Sequence, residues 1–168
     1  MPWRLGWNRR KRSGIVNTPP DLKAWSRAVD ERIRAIRHEL ELDSGGRARL
    51  LPVTKAFGPE AVQVVREAGL TEVGESYAQE LVAKHREVND SEISWHMIGR
   101  LQRNKVRPLA GLVSLWQSVD RPELVEEIAR WAPEARILIQ VNVLDHPEQG
   151  GCRPGEVEGL VVHGHEAG

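Results

Sequence analysis

Cysteine occurs once in the 168 residues, at Cys152, so no internal disulfide can form and a reducing compartment suits the chain. Net charge is also missing: 24 Lys and Arg balance 24 Asp and Glu, leaving no overall field to draw the protein to nucleic acid or a membrane surface. No apolar run approaches the ~20 residues that a spanning helix needs. Arg4, Arg9, Arg10, Lys11 and Arg12 open the chain as a signal peptide would. Ser13-Gly14-Ile15-Val16-Asn17-Thr18-Pro19-Pro20 follows in place of an apolar core, which excludes a secretory leader. Residues 1–17 therefore read as a basic, disordered extension, and the expected location is the cytoplasm. A basic arm can also touch phosphate backbones, the less favoured reading of the same residues.

Several chemical signatures are absent too. There is no Gly-x-Gly-x-x-Gly after a strand and no Gly-x-Ser-x-Gly, which argues against a dinucleotide fold and a nucleophile elbow. Gly99-Arg100-Leu101-Gln102-Arg103-Asn104-Lys105 lacks the second glycine and the Ser/Thr of a phosphate-cradling nucleotide loop. Cys152, His163 and His165 match no common zinc spacing, and the last residues read as a solvated tail.

What is present is an ordinary globular balance, 40% apolar and 29% charged, in a length that fits one domain. Thr18-Pro19-Pro20-Asp21 reads as a helix start with Thr18 as cap and Asp21 in the first turn. Leu22, Trp25, Val29, Ile33, Ile36 and Leu40 then recur every three or four residues, and Ser44-Gly45-Gly46 ends the helix. Beyond it the chain alternates. Strands are expected at 50–54, 70–73, 93–98, 112–119 and 137–143. Helices are expected from Gly58-Pro59-Glu60 to Gly69, over 76–87, weakly over 101–110, from Asp120 as N-cap, and weakly from Pro154. Alternation of this kind predicts right-handed βαβ units and a parallel sheet, either open or part of a (β/α)8 barrel. A full barrel needs eight strands and about 250 residues, so five strands predict an open or incomplete one.

Lys55 stands directly after the first expected strand, in Leu50-Leu51-Pro52-Val53-Thr54-Lys55. In a barrel that is the C-terminal mouth, where functional groups gather. A lysine there has a flexible stem, and its neutral amine can attack an aldehyde carbon. On position alone, a surface lysine closing a strand is the commoner reading.

Its company changes the balance. Val53-Thr54-Lys55, Val73-Gly74-Glu75-Ser76-Tyr77-Ala78-Gln79-Glu80 and Trp95-His96-Met97-Ile98-Gly99-Arg100-Leu101-Gln102-Arg103-Asn104-Lys105 resemble three successive signatures of the pyridoxal-phosphate homeostasis family. Ser118-Val119-Asp120 and Gln140-Val141-Asn142-Val143 resemble its next two strand ends, and the likeness runs from about Leu22 to about Val161. The resemblance implies an α/β fold of (β/α)8 TIM-barrel type, like the N-terminal domain of alanine racemase, over residues 18–168. It further implies pyridoxal 5'-phosphate held as an imine on Lys55, with Ser76, His96, Ser118 and Asn142 lining the pocket. The implied role is to carry, buffer or deliver the cofactor inside the cell, with pyridoxal-phosphate-dependent apoenzymes as partners, no turnover of its own, and a monomer as the expected state. A racemase-like enzyme and a fragment without cofactor binding are the alternatives.

The chain departs from the family in three places. Ser76 stands where the family usually has asparagine, and Pro52 lies inside the first expected strand. The likeness also fades near Val161-Val162-His163-Gly164-His165, before the last strands that supply the family's phosphate cup. An incomplete barrel, as a premature stop or frameshift would leave, is expected to hold the cofactor weakly.

Overall fold

The structure, a computed structural model, describes residues 19–168 apart from 145 and 147; the basic extension and the Thr18 cap lie outside the described residues. Helix α1 spans Leu22–Ser44. Its N-cap is Asp21, whose side chain accepts a hydrogen bond from the Ala24 N–H at 2.9 Å, so Asp21 is the cap itself and not a first-turn residue as expected. Gly45, at φ 59°, ends the helix in the left-handed conformation that glycine adopts at little cost. Of the apolar stripe only Ile33 is buried. Trp25 stacks on Phe57 with ring centroids 5.6 Å apart, and Ser26 donates to Glu67, which docks the start of α1 beside α2.

Four parallel strands follow, β1 (Glu72–Glu75), β2 (Ser94–Met97), β3 (Val113–Val119) and β4 (Arg136–Ile139), ordered β1-β2-β3-β4. Helix α2 (Glu60–Glu67) precedes β1, α3 (Ala78–Val88), α4 (Val106–Leu109) and α5 (Pro122–Trp131) run between the strands, and α6 (Val157–Ala167) comes last. A 3₁₀ turn at Arg103–Lys105 leads into α4 and another at Pro154–Glu156 into α6. Strands alternating with helices behind an N-terminal helix are the α/β pattern expected.

Of the five expected strands, the first is reduced to one bridge, Val53 to Gly74. The Gly74 N–H donates to the Pro52 carbonyl at 2.8 Å, and the Thr54 N–H donates to the Gly74 carbonyl at 3.0 Å. Pro52 meets β1 with a carbonyl but no N–H, which cuts the ladder short, and the segment forms the edge of the described sheet beside β1. The last expected strand is also shorter than predicted, with Val141 bridging to Cys152 beyond it.

Two terminal features differ from expectation. Arg121, not Asp120, is the N-cap of α5, because the Asp120 carboxylate pairs with the Arg121 guanidinium and accepts the Gly151 N–H. The C-terminal residues are helical through Ala167, not a solvated tail: Leu160 is buried, and α6 packs against α5.

The register sorts the sheet into two faces. Val73 pairs with Trp95 and Met97 with Trp116, and these join Val62, Leu81, Leu109 and Leu124 from the helices in one apolar core. Gly74, His96 and Leu115 pair across the opposite face. Burying a large apolar side chain contributes about 1.5–3 kcal/mol, so the two buried tryptophans anchor the helix side.

Candidate functional site

Parallel strands in one sheet bring their C-terminal ends to one edge, where the connections to the following helices meet. Lys55 lies two residues beyond the Val53 bridge, and Ser76 two residues beyond Gly74, its bridge partner. The two neighbouring segments therefore deliver Lys55 and Ser76 at the same level of the sheet. Lys55 is exposed, and the Ser76 hydroxyl has no partner among the described residues.

Lys55 sits inside a tight turn closed by the Phe57 N–H donating to the Thr54 carbonyl at 3.2 Å. Ala56, third in that turn, has φ 65°, the positive value that a type II turn demands at this place and that alanine seldom adopts. The turn is held from α3. Lys84 Nζ donates to the Thr54 carbonyl at 2.7 Å and lies 2.6 Å from Glu75 Oε1. The Glu80 carboxylate accepts the Ala56 N–H at 3.0 Å.

The Lys84–Glu75 pair is buried, with side-chain exposures of 6% and 0%. Thr54 Oγ1 also donates to Glu75 Oε1, at 2.6 Å, while Glu75 Oε2 has no partner among the described residues. Burial raises the Glu75 pKa above the usual carboxylate value, although the hydrogen bonds from Lys84 and Thr54 pull it down. Thr54, Glu75, Glu80 and Lys84 were not among the site residues expected from sequence. The available signal was Glu75 itself, a carboxylate in a short strand that a buried cation must accompany.

The remaining expected residues have defined places. Ser118, buried near the end of β3, donates its hydroxyl to the Gly99 carbonyl after β2. A Cβ on Gly99 would stand 2.0 Å from the Ser76 carbonyl oxygen, so only glycine lets the connections after β1 and β2 approach this closely. Asn142 staples the loop after β4, accepting the His146 N–H at 3.1 Å and donating to the His146 carbonyl at 2.9 Å. Arg100 is exposed at the same edge, with no hydrogen bond or ion pair among the described residues.

His96 lies on the sheet face away from the helices, and both its ring nitrogens have neighbours. Nδ1 is 2.9 Å from Gln117 Nε2, and Nε2 is 3.8 Å from Glu72 Oε1, which itself pairs with Arg49. If the Gln117 amide donates, Nδ1 accepts and the neutral ring carries its proton on Nε2, toward Glu72. Burial lowers the His96 pKa, and Glu72 opposes that. Among the described residues no group of three or more His, Cys, Asp or Glu could hold a metal ion, and no helix is long and apolar enough to cross a membrane.

Known proteins resemble this arrangement. The alanine racemase N-terminal domain model matches residues 25–167. The pyridoxal phosphate homeostasis protein of Aquifex aeolicus is 38% identical over 117 residues, which cover 67% of this chain and 51% of that protein. The protein of the same name from Pseudomonas aeruginosa is 35% identical over 115 residues, 66% of this chain and 50% of its own. The chain thus spans about half the length of these curated relatives. PipY of Synechococcus elongatus superimposes with a TM-score of 0.74 at 27% identity in its structure without PLP, covering 83% of this chain and 66% of PipY. Its structure with PLP bound gives 0.70 at 28% identity, covering 80% and 62%. Matched over nearly all its described residues, the chain belongs to the alanine racemase N-terminal domain family and, within it, to the pyridoxal phosphate homeostasis proteins.

Proposed function

We propose that this chain binds pyridoxal phosphate at the C-terminal edge of its sheet, through Lys55, and carries the cofactor without turning over a substrate. One observation carries the reading: an exposed lysine is presented in a closed, pinned turn at a strand end, beside a free serine hydroxyl. When bound, the cofactor supplies an aldehyde carbon, which joins the lysine nitrogen in a C=N bond as water leaves. Lys55 provides the nitrogen, and Ser76 and Arg100 offer a hydroxyl and a cation on the same edge. Ser118 and Asn142 shape the floor and one wall by fixing the connections after β2 and β4. His96 supports the sheet beneath, since its ring is engaged by Gln117 and faces Glu72.

A carrier role is favoured by the likeness to pyridoxal phosphate homeostasis proteins, and the Asp120 carboxylate at this edge is held by the Arg121 guanidinium and the Gly151 N–H. The PLP-bound structure of PipY supports the choice of cofactor for this chain. Cytoplasmic apoenzymes that use pyridoxal phosphate are the corresponding recipients. The test is to incubate the purified chain with pyridoxal phosphate, reduce with borohydride and map the modified peptide. The adduct is expected on Lys55 and lost in Lys55→Ala. Modification spread over surface lysines, unchanged by that substitution, would reject the reading.

A further inference from the structure

The turn that carries Lys55 is gripped on both sides by one helix. The residue before it, Thr54, has its carbonyl bound by Lys84, and the residue after it, Ala56, has its N–H bound by Glu80. Both side chains come from α3 and lie four residues apart on one face, 3.7 Å from each other. Ala56 is meanwhile in a backbone conformation that L side chains rarely adopt. Such a residue persists where its surroundings over-determine it, and here a charged acceptor sits on its own N–H. Lys84 is fixed in turn by buried Glu75, so the grip is anchored in the strand next to the turn.

We infer that Glu80, together with the Lys84–Glu75 pair, is a positioning residue for Lys55: it holds Ala56 left-handed and so sets where the lysine stem leaves the backbone. The inference rests on the proposal that Lys55 is the attachment point, and it adds which residues outside the pocket make that attachment fast. Glu80 touches no cofactor in this scheme and acts through the backbone of the turn. It is 38% exposed, so replacing it leaves the core intact, unlike replacing Lys84.

The experiment uses the full chain as wild type, Glu80→Ala, Glu80→Gln and the double variant Ala56→Gly with Glu80→Ala. Each is mixed with pyridoxal phosphate and trapped with borohydride, and the rate of adduct formation at Lys55 is read by peptide mapping. In parallel, acetic anhydride labelling reports the accessibility of the same amine, and thermal melting reports the fold. Glu80→Ala is expected to slow adduct formation on the order of ten-fold, since small misplacements of a reacting group are costly. Acetylation of Lys55 should not change, because the amine is exposed either way. Glu80→Gln, which keeps an oxygen acceptor, should stay near wild type. Glycine at position 56 adopts the left-handed turn without help, so the double variant should recover most of the lost rate. A Glu80→Ala rate within about two-fold of wild type, a double variant no faster than Glu80→Ala, or acetylation falling in step with the adduct would each overturn the inference while leaving attachment at Lys55 standing. A wild-type chain with no Lys55 adduct would overturn both.

Discussion

Replacing Lys84 by methionine keeps an unbranched apolar stem one heavy atom shorter and removes the charge and donors at its end. In the native chain Nζ sits 2.6 Å from Glu75 Oε1 and 2.7 Å from the Thr54 carbonyl, with almost no exposure. The variant leaves Glu75 fully buried, with the Thr54 hydroxyl as its single donor. Breaking one side of a buried ion pair costs about 3–5 kcal/mol, because the surviving charge is stranded out of water. For a domain of this size a kilocalorie corresponds to about 2–4 °C, so melting should fall by roughly 6–20 °C. The loss is a large part of the ~5–15 kcal/mol that separates folded from unfolded domains.

The pH dependence gives this prediction its sign. Glu75 already titrates above its ordinary value of 4.5, and losing Lys84 removes two of the influences that hold it down. A carboxyl with a raised folded pKa binds more protons folded than unfolded in the interval above 4.5. Its stability is therefore greatest at low pH and declines as pH rises through the folded value. The deficit of Lys84→Met should be largest near neutrality and narrow on acidification. Adding Glu75→Gln should recover much of it at neutral pH by removing the stranded charge. Urea unfolding followed by circular dichroism measures all three proteins. A Lys84→Met chain within about 1 kcal/mol of wild type at neutral pH, or a deficit that grows on acidification, would refute the argument from a buried pair.

Two further outcomes follow from single positions. Gly99→Ala drives a methyl against the Ser76 carbonyl oxygen, where a Cβ would stand 2.0 Å away, so the connections after β1 and β2 must part. Its expected cost is about 1–3 kcal/mol by urea unfolding, with slower adduct formation at Lys55 as the edge opens. Burial holds the His96 pKa below 6.5, so the unfolded chain takes up protons first as pH falls through 6.5. Stability that is present above 6.5 is then lost below it, and His96→Gln should flatten that part of the stability profile in parallel urea titrations.

The long periodic elements were legible from sequence because burial imposes a period on the residues. Leu124, Val125 and Ile128 mark the buried face of α5, and the stripe from Leu22 to Leu40 marks α1, where Ile33 is buried and most of the rest is half-buried. The first strand was legible in part: an apolar run ending at Lys55 looks like a strand, and Pro52 within it signals a distorted one, since it offers β1 a carbonyl but no N–H and leaves a single bridge. The C-terminal helix was under-read for a related reason. Gly159 and Gly164 weaken its intrinsic helix signal, and it is stabilised by Leu160 packing toward α5, which no local pattern displays.

At the site, the chemistry-bearing residue was visible and its support was not. Lys55 announces itself by standing at a strand end among ordered motifs. Glu75, Glu80 and Lys84 lie 20, 25 and 29 residues further on, and read locally as one polar strand end and two solvated helix positions. The fold converts that spacing into contact. Strand β1 lies beside the Lys55 segment, and α3 returns across its end, so charges remote in sequence close on the two residues flanking the lysine. The physical trace they leave in the sequence is indirect: a carboxylate in an otherwise buried strand is too costly to keep without a cation, and Lys84, on the next helix, is the residue that meets it. A lysine exposed on a loose loop would sample many directions. One held between a bound carbonyl and a bound N–H presents its amine from a fixed origin, and that difference separates an attachment point from an ordinary surface lysine.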